Sequence, residues 1–266
     1  MYDTKKLYTK DIVNMIRKTW GLGYPTIPAS VDGIGTKGEY HWQQRTFRNA
    51  TLDALAMNFN DMAVMNAGIN YLQDHIIIPK EDEKAIMEIV ETFYEECDKR
   101  EIEISGGETS IHNNFSGLEI SVSVQGYYIN YKENKFLAGD SLVGIRSSGL
   151  HSNGFTKIRE LFGSEARKEF VEPTLIYYDK ILEVDNKFDI HGKVHITGGA
   201  YTKIKPYLDG SSVIINNKVL LAHDIFYEVY NKGVSDEEMY KTFNCGIGFI
   251  LGCSKDYALP IVSNLE

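Results

Sequence analysis

Apolar residues in the first half of the chain recur at helical spacing in three stretches and alternate with polar residues in three others. Spacing of three or four positions predicts amphipathic helices over residues 7–20, 51–65 and about 83–97. Alternation with a period of two predicts strands at residues 71–78, 101–104 and 118–125. Helices interleaved with strands in this way are typical of α/β and α+β folds.

A polar, turn-rich segment separates the two halves of the chain. We place a domain boundary at residues 130–135, which gives an N-terminal domain at 1–130 and a C-terminal domain at 136–266. In the second domain the same patterns predict strands at residues 140–145, 211–215 and 246–251. Helices are predicted near residues 223–230 and 237–242, and after Pro173, which fits the first position of a helix.

Composition narrows the class of protein. The 266 residues are 43% hydrophobic and 24% charged, as in an ordinary globular protein. The net charge is −9 and no stretch of the sequence is rich in basic residues, which argues against nucleic-acid binding. No apolar run reaches membrane-spanning length. Cys97, Cys245 and Cys253 lack metal-site spacing and are expected to be buried free thiols. Because the N-terminus shows no signal-peptide pattern, we expect a cytoplasmic protein.

Four glycine-containing loops carry the candidate chemistry. Each combines Gly with Ser or Thr and has an acid or a histidine nearby; they are residues 32–37, 106–109, 147–154 and 197–199. Such loops can offer backbone N–H groups to phosphate oxygens. The first loop also fits the G-x-G-x-x-G spacing of dinucleotide-binding folds. We rank that interpretation low, because Pro25 and Pro28 leave little room for a preceding strand and Asp32 would repel a pyrophosphate.

Three carboxylates are candidates for a shared metal site. Asp32 and Glu108 belong to the first two loops, and Asp61 follows Asn60 in the middle of the second predicted helix. Oxygen ligands of this kind suit Mg²⁺ bound to a polyphosphate. A carboxylate on the buried side of an apolar helix needs a partner, although the spacing alone also allows Asp61 to face solvent.

The four loops resemble the aminoimidazole ribonucleotide synthetase (PurM) family, as do Asn60-Asp61, the segment 173–177 and the run 238–248, all in family order. The resemblance implies a two-domain PurM-like fold of the α+β or α/β class. In that fold the N-terminal sheet pairs with a second subunit in a homodimer, and the C-terminal domain is α/β. Because the region before Asp32 is short and the sequence ends at Glu266, we expect either a compact version or one with an incomplete C-terminal domain. The implied reaction is the ATP- and Mg²⁺-dependent ring closure of formylglycinamidine ribonucleotide to aminoimidazole ribonucleotide in purine biosynthesis.

The resemblance also implies roles for individual residues. The metal ligands would be Asp32, Asp61 and Glu108, and the catalytic residues His151, Asp61 and Lys37. In these roles Lys37 is a phosphate cation and His151 a general acid or base, since an imidazole titrates near neutrality. The nucleotide would contact Asp32, Gly33, Gly35, Thr36, Lys37, Asn60, Gly106, Gly107, Glu108 and Thr109. The ribonucleotide substrate would contact Ser148, His151, Ser152, Asn153, Thr197, Gly198 and Gly199.

Several alternatives stay open at this point. Thr197 to Gly199 could form a tight packing turn instead of a phosphate site, and His195 is expected to be a structural residue at the edge of a sheet. The protein could be another ATP-dependent kinase or dehydratase of the same superfamily. It could also be a catalytically silent dimer module that binds nucleotide, although a silent module has no physical need to keep Lys37, Asp61 and His151 together.

Overall fold

Two β-sheets organise the protein. The computed structural model describes residues 8–21, 23–216 and 222–266. The first sheet has the strand order β1-β4-β2-β3 and is formed by β1 (Ala29–Gly33), β2 (Ala67–Ile78), β3 (Glu103–Ile111) and β4 (Glu119–Tyr128). Strand β4 is antiparallel to both β1 and β2, and β3 runs parallel to β2. The antiparallel pairing of β1 excludes a dinucleotide-binding fold, which requires a parallel strand at this position.

The second sheet is antiparallel throughout. Its order is β5-β7-β6, formed by β5 (Ser141–Arg146), β6 (Ile190–His195) and β7 (Ile247–Cys253). Residues 129–140, between the last strand of the first sheet and the first strand of the second, contain neither helix nor strand. The polar segment at residues 130–135 lies within this connection.

Nine α-helices surround and join the sheets in the described part of the chain. They are α1 (Thr9–Arg17), α2 (Lys37–Gln44), α3 (Phe47–Val64), α4 (Glu83–Asp98), α5 (Phe155–Phe162), α6 (Tyr178–Lys187), α7 (Asp224–Asn231), α8 (Asp236–Thr242) and α9 (Lys255–Leu265). Two 3-10 helices, Lys168–Phe170 and Ala200–Tyr207, complete the set. No helix within residues 8–21, 23–216 and 222–266 is both long enough and apolar enough to span a bilayer.

Helix α3 is the centre of the fold. The sequence predicts an apolar stripe on one face, but nearly every residue from Ala50 to Ala63 is buried. One side of the helix packs on β1 and β4, and other sides meet α6 and β6 of the second half. A single core cluster therefore includes Phe59 of α3, Val122 of the first sheet and Phe249 of the second. A helix that is buried all round can carry polar residues only where partners satisfy them.

Several predicted elements differ from the observed ones. The segment after Pro173 stays extended until Tyr178, because its backbone N–H groups donate to side chains of α3: Thr174 N to Asp53 and Tyr177 N to Asn60. The strand predicted at residues 211–215 is not formed, and helices α2 and α9 were not predicted. The prediction for α4 is confirmed, and the Asp82 carboxylate caps it by accepting from Ala85 N at 3.2 Å.

Candidate functional site

The turn between β1 and α2 places Asp32 on the side of the first sheet that faces α3. Asp32 pairs with Val122, whose side chain is buried on that side, and Gly33 N donates to Asp32 Oδ1 at 2.8 Å. Desolvation by the surrounding atoms raises the pKa of Asp32, and the nearby charge of Asp61 raises it further. These two carboxylates therefore interact electrostatically across the space between β1 and α3.

The positions of Gly33 and Gly35 are suited to glycine for different reasons, one steric and one conformational. A Cβ on Gly33 would lie 2.4 Å from Glu119 Oε1, so the side chain of the neighbouring strand occupies that space. Burial raises the pKa of Glu119, although the nearby backbone N–H group of Gly35 lowers it in part. Gly35 has a φ of +56° and nothing within 4 Å of its Cβ position, which leaves this part of the turn open. Glu119 was not among the predicted site residues.

Lys37 is not available to a phosphate in this structure. Its side chain is completely buried, and Nζ lies 2.7 Å from Asp53 Oδ2 and donates to the Glu172 carbonyl at 2.6 Å. The predicted role of Lys37 as a phosphate cation therefore disagrees with its position. The reason lies in the tertiary structure. The buried carboxylate of Asp53 on α3 forms an ion pair with the Lys37 ammonium group, although Lys37 is next to the glycine turn in sequence.

Asp61 lies at the end of α3 and is held by a histidine of the second half. His195 Nδ1 is 3.3 Å from Asp61 Oδ1. Desolvation would raise the pKa of Asp61, but the hydrogen bond with His195 and the charge of Lys203 outweigh it and the pKa is lowered. Burial lowers the pKa of His195, so its imidazole is neutral at pH 7 and Nδ1–H donates to the carboxylate. His195 thus orients Asp61, a role that the sequence analysis missed.

Asn60 supports the same arrangement from the opposite side. Its Nδ2 donates to the Leu175 carbonyl at 2.9 Å and lies 3.3 Å from His195 Nε2, and its Oδ1 accepts from Tyr177 N at 2.7 Å. The side chain is fully buried. Asn60 therefore has no polar atom left for a nucleotide, contrary to the prediction, and it acts by fixing His195 and the segment before α6.

A cavity of about 310 Å³ opens beside these residues. It lies between β1, α3, β6 and the 3-10 helix, and its lining includes Ser30, Asp61, His195, Lys203 and Tyr207. Lys203 Nζ contacts Thr197 Oγ1 and contributes positive charge near Asp61. Lys203 is a cation near the acidic pair that the sequence analysis did not select.

Glu108 is far from the other two carboxylates within one chain. The strand order puts β1 and β3 at opposite edges of the sheet, three strand spacings or about 14 Å apart. Glu108 also pairs with His75, on the face of the sheet that points away from α3. Consistently, no group of three His, Cys, Asp or Glu residues suited to a metal occurs within the described ranges. The prediction that Asp32, Asp61 and Glu108 share a metal is therefore wrong for a single chain.

The second predicted glycine loop is a strand. Gly106, Gly107, Glu108 and Thr109 all lie inside β3, which continues to Ile111 because it pairs with β2 along its whole length. A Cβ on Gly107 would lie 2.4 Å from Asp74 Oδ2, whereas Gly106 faces open space on the other side. Gly107 thus makes room for a neighbouring carboxylate rather than for a phosphate.

The loop between β5 and α5 carries two buried donors without partners. His151 is 1% exposed and adopts a φ of +58°, and its Nε2 accepts from Ser148 N at 3.2 Å. The proton of the neutral ring is therefore on Nδ1, which has no hydrogen-bond partner among the described residues. Asn153 Nδ2, 5% exposed, has none in that part of the chain either. Unpaired buried donors are costly unless a ligand satisfies them.

His151 is neutral for a physical reason. Burial lowers its pKa well below the ordinary value, and interactions with the nearby His195 and Lys37 lower it further. The expectation that His151 titrates near neutrality is therefore wrong for this conformation, in which the ring offers an Nδ1–H donor. The hydroxyls of Ser148 and Ser152 donate to the Pro173 carbonyl and to Asp53, so they hold the loop instead of facing a substrate.

The turn after β6 completes the arrangement. Ala200 N donates to the Thr197 carbonyl at 2.7 Å, and Gly199 has a φ of +86°. A Cβ on Gly198 would come within 4.0 Å of Asn153 Oδ1, so this turn and the His151 loop are neighbours. The ring of Tyr177 lies between His151 and His195, with centroid distances of 6.1 Å and 6.4 Å. The His151 loop and the 197–199 turn are therefore neighbours, and the Tyr177 ring connects His151 with His195, the partner of Asp61.

Comparison with known proteins decides the family. Residues 26–128 match the family described as AIR synthase related protein, N-terminal domain, and residues 138–258 match its C-terminal domain. The chain belongs to the AIR synthase family. It is 32% identical to the phosphoribosylformylglycinamidine cyclo-ligase of Clostridium perfringens, over 95% of this chain and 81% of that protein. Against the enzyme of the same name from Saccharolobus solfataricus, identity is 32% over 92% of this chain and 77% of that protein.

Solved structures share the AIR synthase fold at low sequence identity. Thiamine monophosphate kinase from Aquifex aeolicus has a TM-score of 0.66 and 14% identity, covering 96% of this chain and 90% of that one. Hydrogenase maturation protein HypE in complex with ATP has a TM-score of 0.61 and 16% identity, covering 98% of this chain and 80% of that one. These likenesses confirm the PurM-like class of the fold.

Within this AIR synthase fold, most of the predicted residues fall into two groups, and Gly33, Thr36 and Gly199 belong to neither. One group borders the region between the two halves: Asp32, Gly35, Asp61, His151, Asn153, Thr197 and Gly198. The other group is committed elsewhere, either in buried contacts or on β3: Lys37, Asn60, Ser148, Ser152, Gly106, Gly107, Glu108 and Thr109. Fewer of the predicted residues lie near the boundary between the halves than the sequence analysis expects, and His195 and Lys203 line the cavity beside Asp61.

Proposed function

We propose that the protein uses ATP to close the imidazole ring of formylglycinamidine ribonucleotide, as the names of its relatives indicate for them. The observation that carries the proposal is the pair of interacting carboxylates Asp32 and Asp61, of which Asp61 lines the cavity and is held by His195 of the second half; the His151 loop of that half adds two unpaired donors. Carboxylates suit the metal of a nucleotide, and free N–H donors suit the oxygen atoms of a ribonucleotide. The named relatives and the ATP-bound HypE structure support this reading.

The chemistry explains why ATP is needed. An amide oxygen is a poor leaving group, so the substrate amide oxygen attacks the γ-phosphorus of ATP and ADP departs. A nitrogen of the same substrate then attacks the activated carbon, the C–O bond breaks, and phosphate leaves with that oxygen while the nitrogen loses its proton. Holding both reacting groups of one molecule in the correct geometry supplies a large part of the rate. Phosphoryl transfer itself requires positioning and charge neutralisation.

Asp32 and Asp61 fit a magnesium ion. Both ligand groups are carboxylates, and the pKa of Asp32, which burial and then the charge of Asp61 raise, would be lowered by a bound cation. When bound, the ion would neutralise charge on the phosphates of ATP. Neutral His195 keeps Asp61 oriented, and Lys203 offers a further positive charge beside it. Gly35 and Thr36 provide the open part of the turn on the nucleotide side.

The His151 loop is assigned to the ribonucleotide. His151 Nδ1–H and Asn153 Nδ2 are donors that lack partners, and Gly198 lies beside Asn153. A substrate oxygen or phosphate placed between the loop and the 197–199 turn would satisfy both donors. Because His151 is neutral and its Nε2 already accepts from Ser148 N, we assign it to hydrogen-bond donation through Nδ1–H rather than to proton transfer.

The proposed assembly is a homodimer, in a cytoplasmic setting. The face of the first sheet that points away from α3 exposes Val31, Tyr71 and Tyr127, and an apolar sheet face is a surface that a second copy can cover. Glu108 lies on this face, so in the proposed dimer it would lie at the interface with the second copy. A molar mass from light scattering tests the assembly: twice the chain mass supports it, and a monomer at working concentrations contradicts it.

Asp61→Asn tests the proposed site. We expect aminoimidazole formation to fall about 100-fold or more, because charge stabilisation by a metal is worth several kcal/mol. The fold should be retained, since Asn Oδ1 still accepts from His195. Asp74→Asn makes the same chemical change on β2, at a residue that does not line the cavity, and should remain active. Product is measured by diazo coupling of the aminoimidazole, with ADP counted in parallel.

The outcomes separate the open alternatives. Equal amounts of ADP and aminoimidazole in the unmodified protein support ring closure. ADP release with a different acceptor, and no aminoimidazole, would indicate another kinase or dehydratase of the superfamily. Nucleotide binding without any turnover would indicate the silent dimer module. Unchanged turnover in Asp61→Asn would remove Asp61 from the site.

A further inference from the structure

A fully buried carboxylate on α3 lies outside the proposed machinery and binds more donors than any other described side chain near the cleft. Asp53 and Lys37 are both 0% exposed. The Asp53 carboxylate lies 2.7 Å from Lys37 Nζ and 2.8 Å from His41 Nε2. It also accepts from Ser152 Oγ at 2.8 Å, from Thr174 N at 2.7 Å and from Thr174 Oγ1 at 2.6 Å.

The donors come from both halves of the protein. Lys37 and His41 belong to α2, whereas Ser152 and Thr174 belong to the loop after β5 and to the segment before α6. Lys37 reaches across as well, because Nζ donates to the Glu172 carbonyl and lies 5.5 Å from the centre of the Phe155 ring. Asp53 therefore joins the first half to two separate segments of the second.

Burying these charged groups carries a large desolvation penalty, so the cluster is not needed merely to hold the two halves together. Burial alone would raise the pKa of Asp53, but the charge of Lys37 and the hydrogen bond from His41 lower it, so the carboxylate is ionised. Apolar side chains of similar volume often serve stability as well as a buried ion pair does. A directional cluster differs from an apolar contact in that it fixes positions to within hydrogen-bond tolerance.

The position that it fixes is that of the His151 loop. Ser152 lies between His151 and Asn153, the two residues with unpaired buried donors. His151 has a φ of +58°, which a non-glycine residue adopts only when its surroundings impose it. Asn244 holds the earlier part of the loop through Ser147, Gly149 and Leu150. Asp53 is the anchor that comes from the first half.

We propose that Asp53 is a positioning residue that aligns the His151 loop with Asp61. Both acids are on α3, eight residues apart, so about 12 Å of one rigid helix separates the anchor from the proposed metal ligand. The contacts of Asp53 thereby fix the position of the His151 loop of the second half relative to Asp61 of the first half. This inference rests on the proposed ring-closing function, because it assigns the purpose of the alignment to that reaction.

Asp53→Asn is the direct test, and the Lys193–Asp185 pair offers a matched control. Lys193 Nζ and Asp185 Oδ2 are 2.5 Å apart and are also nearly buried, but they join β6 to α6 without touching the His151 loop. Both Asp→Asn variants should lower the melting temperature. We expect Asp53→Asn to lower kcat about 100-fold, as for a misplacement of about 1 Å, with the KM for ATP nearly unchanged. Asp185→Asn should keep kcat within about threefold of the original value.

Thr174→Val decides the question if Asp53→Asn does not fold. It removes one hydrogen bond to Asp53, keeps the bond from Thr174 N, and should lower kcat several-fold. The His151 imidazole resonances in a ¹³C-¹H spectrum give a readout that is independent of turnover. They should shift in Thr174→Val and stay in place in Asp185→Asn.

Two results would overturn the inference. One is a folded Asp53→Asn or Thr174→Val protein with unchanged kcat and unchanged His151 resonances. The other is an equal loss of kcat in Asp185→Asn, which would indicate general loosening. If the unmodified protein forms no aminoimidazole, the proposed function fails, while the resonance shifts still report whether Asp53 positions the loop.

Discussion

Gly107→Ala tests whether this glycine serves packing or phosphate binding. Gly107 lies on the side of β3 that faces the helices, where the Asp74 carboxylate covers it. An added Cβ would come within 2.4 Å of Asp74 Oδ2 and 2.9 Å of both Cγ and Oδ1. Its neighbour Gly106 points to the other face, where the nearest atom to an added Cβ is Gln73 Nε2 at 3.9 Å. Two adjacent glycines of one strand therefore form a natural comparison.

The magnitude follows from the clash. Normal contact requires the half-buried Asp74 carboxyl group to move by about 1 Å, and because Gly107 itself is exposed we expect a cost of about 1 kcal/mol, the lower end of the range for forced shifts in a packed core. We expect Gly107→Ala to lower the free energy of unfolding by that amount. Gly106→Ala should change it little or raise it by about 0.4–1 kcal/mol, because alanine reduces the entropy of the unfolded chain.

Urea denaturation followed by circular dichroism measures both effects, after light scattering has shown that the variants share one oligomeric state. The decisive comparison repeats Gly107→Ala in an Asp74→Ala background, where the obstructing carboxyl group is gone. The penalty should disappear there, which gives a coupling energy of about 1 kcal/mol or more. The same penalty in both backgrounds would refute the packing explanation.

Two further predictions concern buried groups. Desolvation raises the pKa of Asp74 to about 6, so the folded state binds a proton that the unfolded state has already lost, and stability falls as the pH rises from about 4 through 6. Asp74→Asn should therefore raise the melting temperature at pH 8 and leave it unchanged near pH 4; an equal effect at both values would contradict this assignment. Burial raises the pKa of Cys97 and Cys245 to about 12, and Cys253 is also buried. All three thiols should resist a disulfide reagent at pH 8 until the protein is unfolded, and rapid labelling of the folded protein would refute their burial.

The elements that the sequence predicts well are those whose pattern is local. Helix α4 has Ile89, Phe93 and Cys97 on one face and Asp82 at its start, and it forms where expected. Helix α3 was also located, but its burial on all sides depends on the second sheet, which no local pattern reveals. The strand β3 was cut short in the prediction, because paired glycines suggest a loop unless the pairing with β2 is known.

The candidate site was predictable only in part for the same reason. Asp61 and Asp32 lie near each other and His151 lies beside Tyr177, while the roles that the resemblance implies for them stay predictions. Lys37 was assigned to phosphate, although its partner Asp53 lies only 16 residues away. Asp53 is an acid within an apolar helix, and the requirement that such an acid have a partner, applied to Asp61, would have indicated the Lys37 pair as well. His195 and Lys203 carry no such signal, because their roles come from the folded arrangement alone.

The fate of the amide oxygen tests the proposed ring closure most directly. Formylglycinamidine ribonucleotide labelled with ¹⁸O in the amide group is incubated with the protein, ATP and Mg²⁺, and the released phosphate is analysed by mass spectrometry. Phosphorylation of the amide oxygen predicts one ¹⁸O atom in each phosphate and one aminoimidazole product for each ADP. Unlabelled phosphate, or aminoimidazole formed without ADP, would contradict the proposed function.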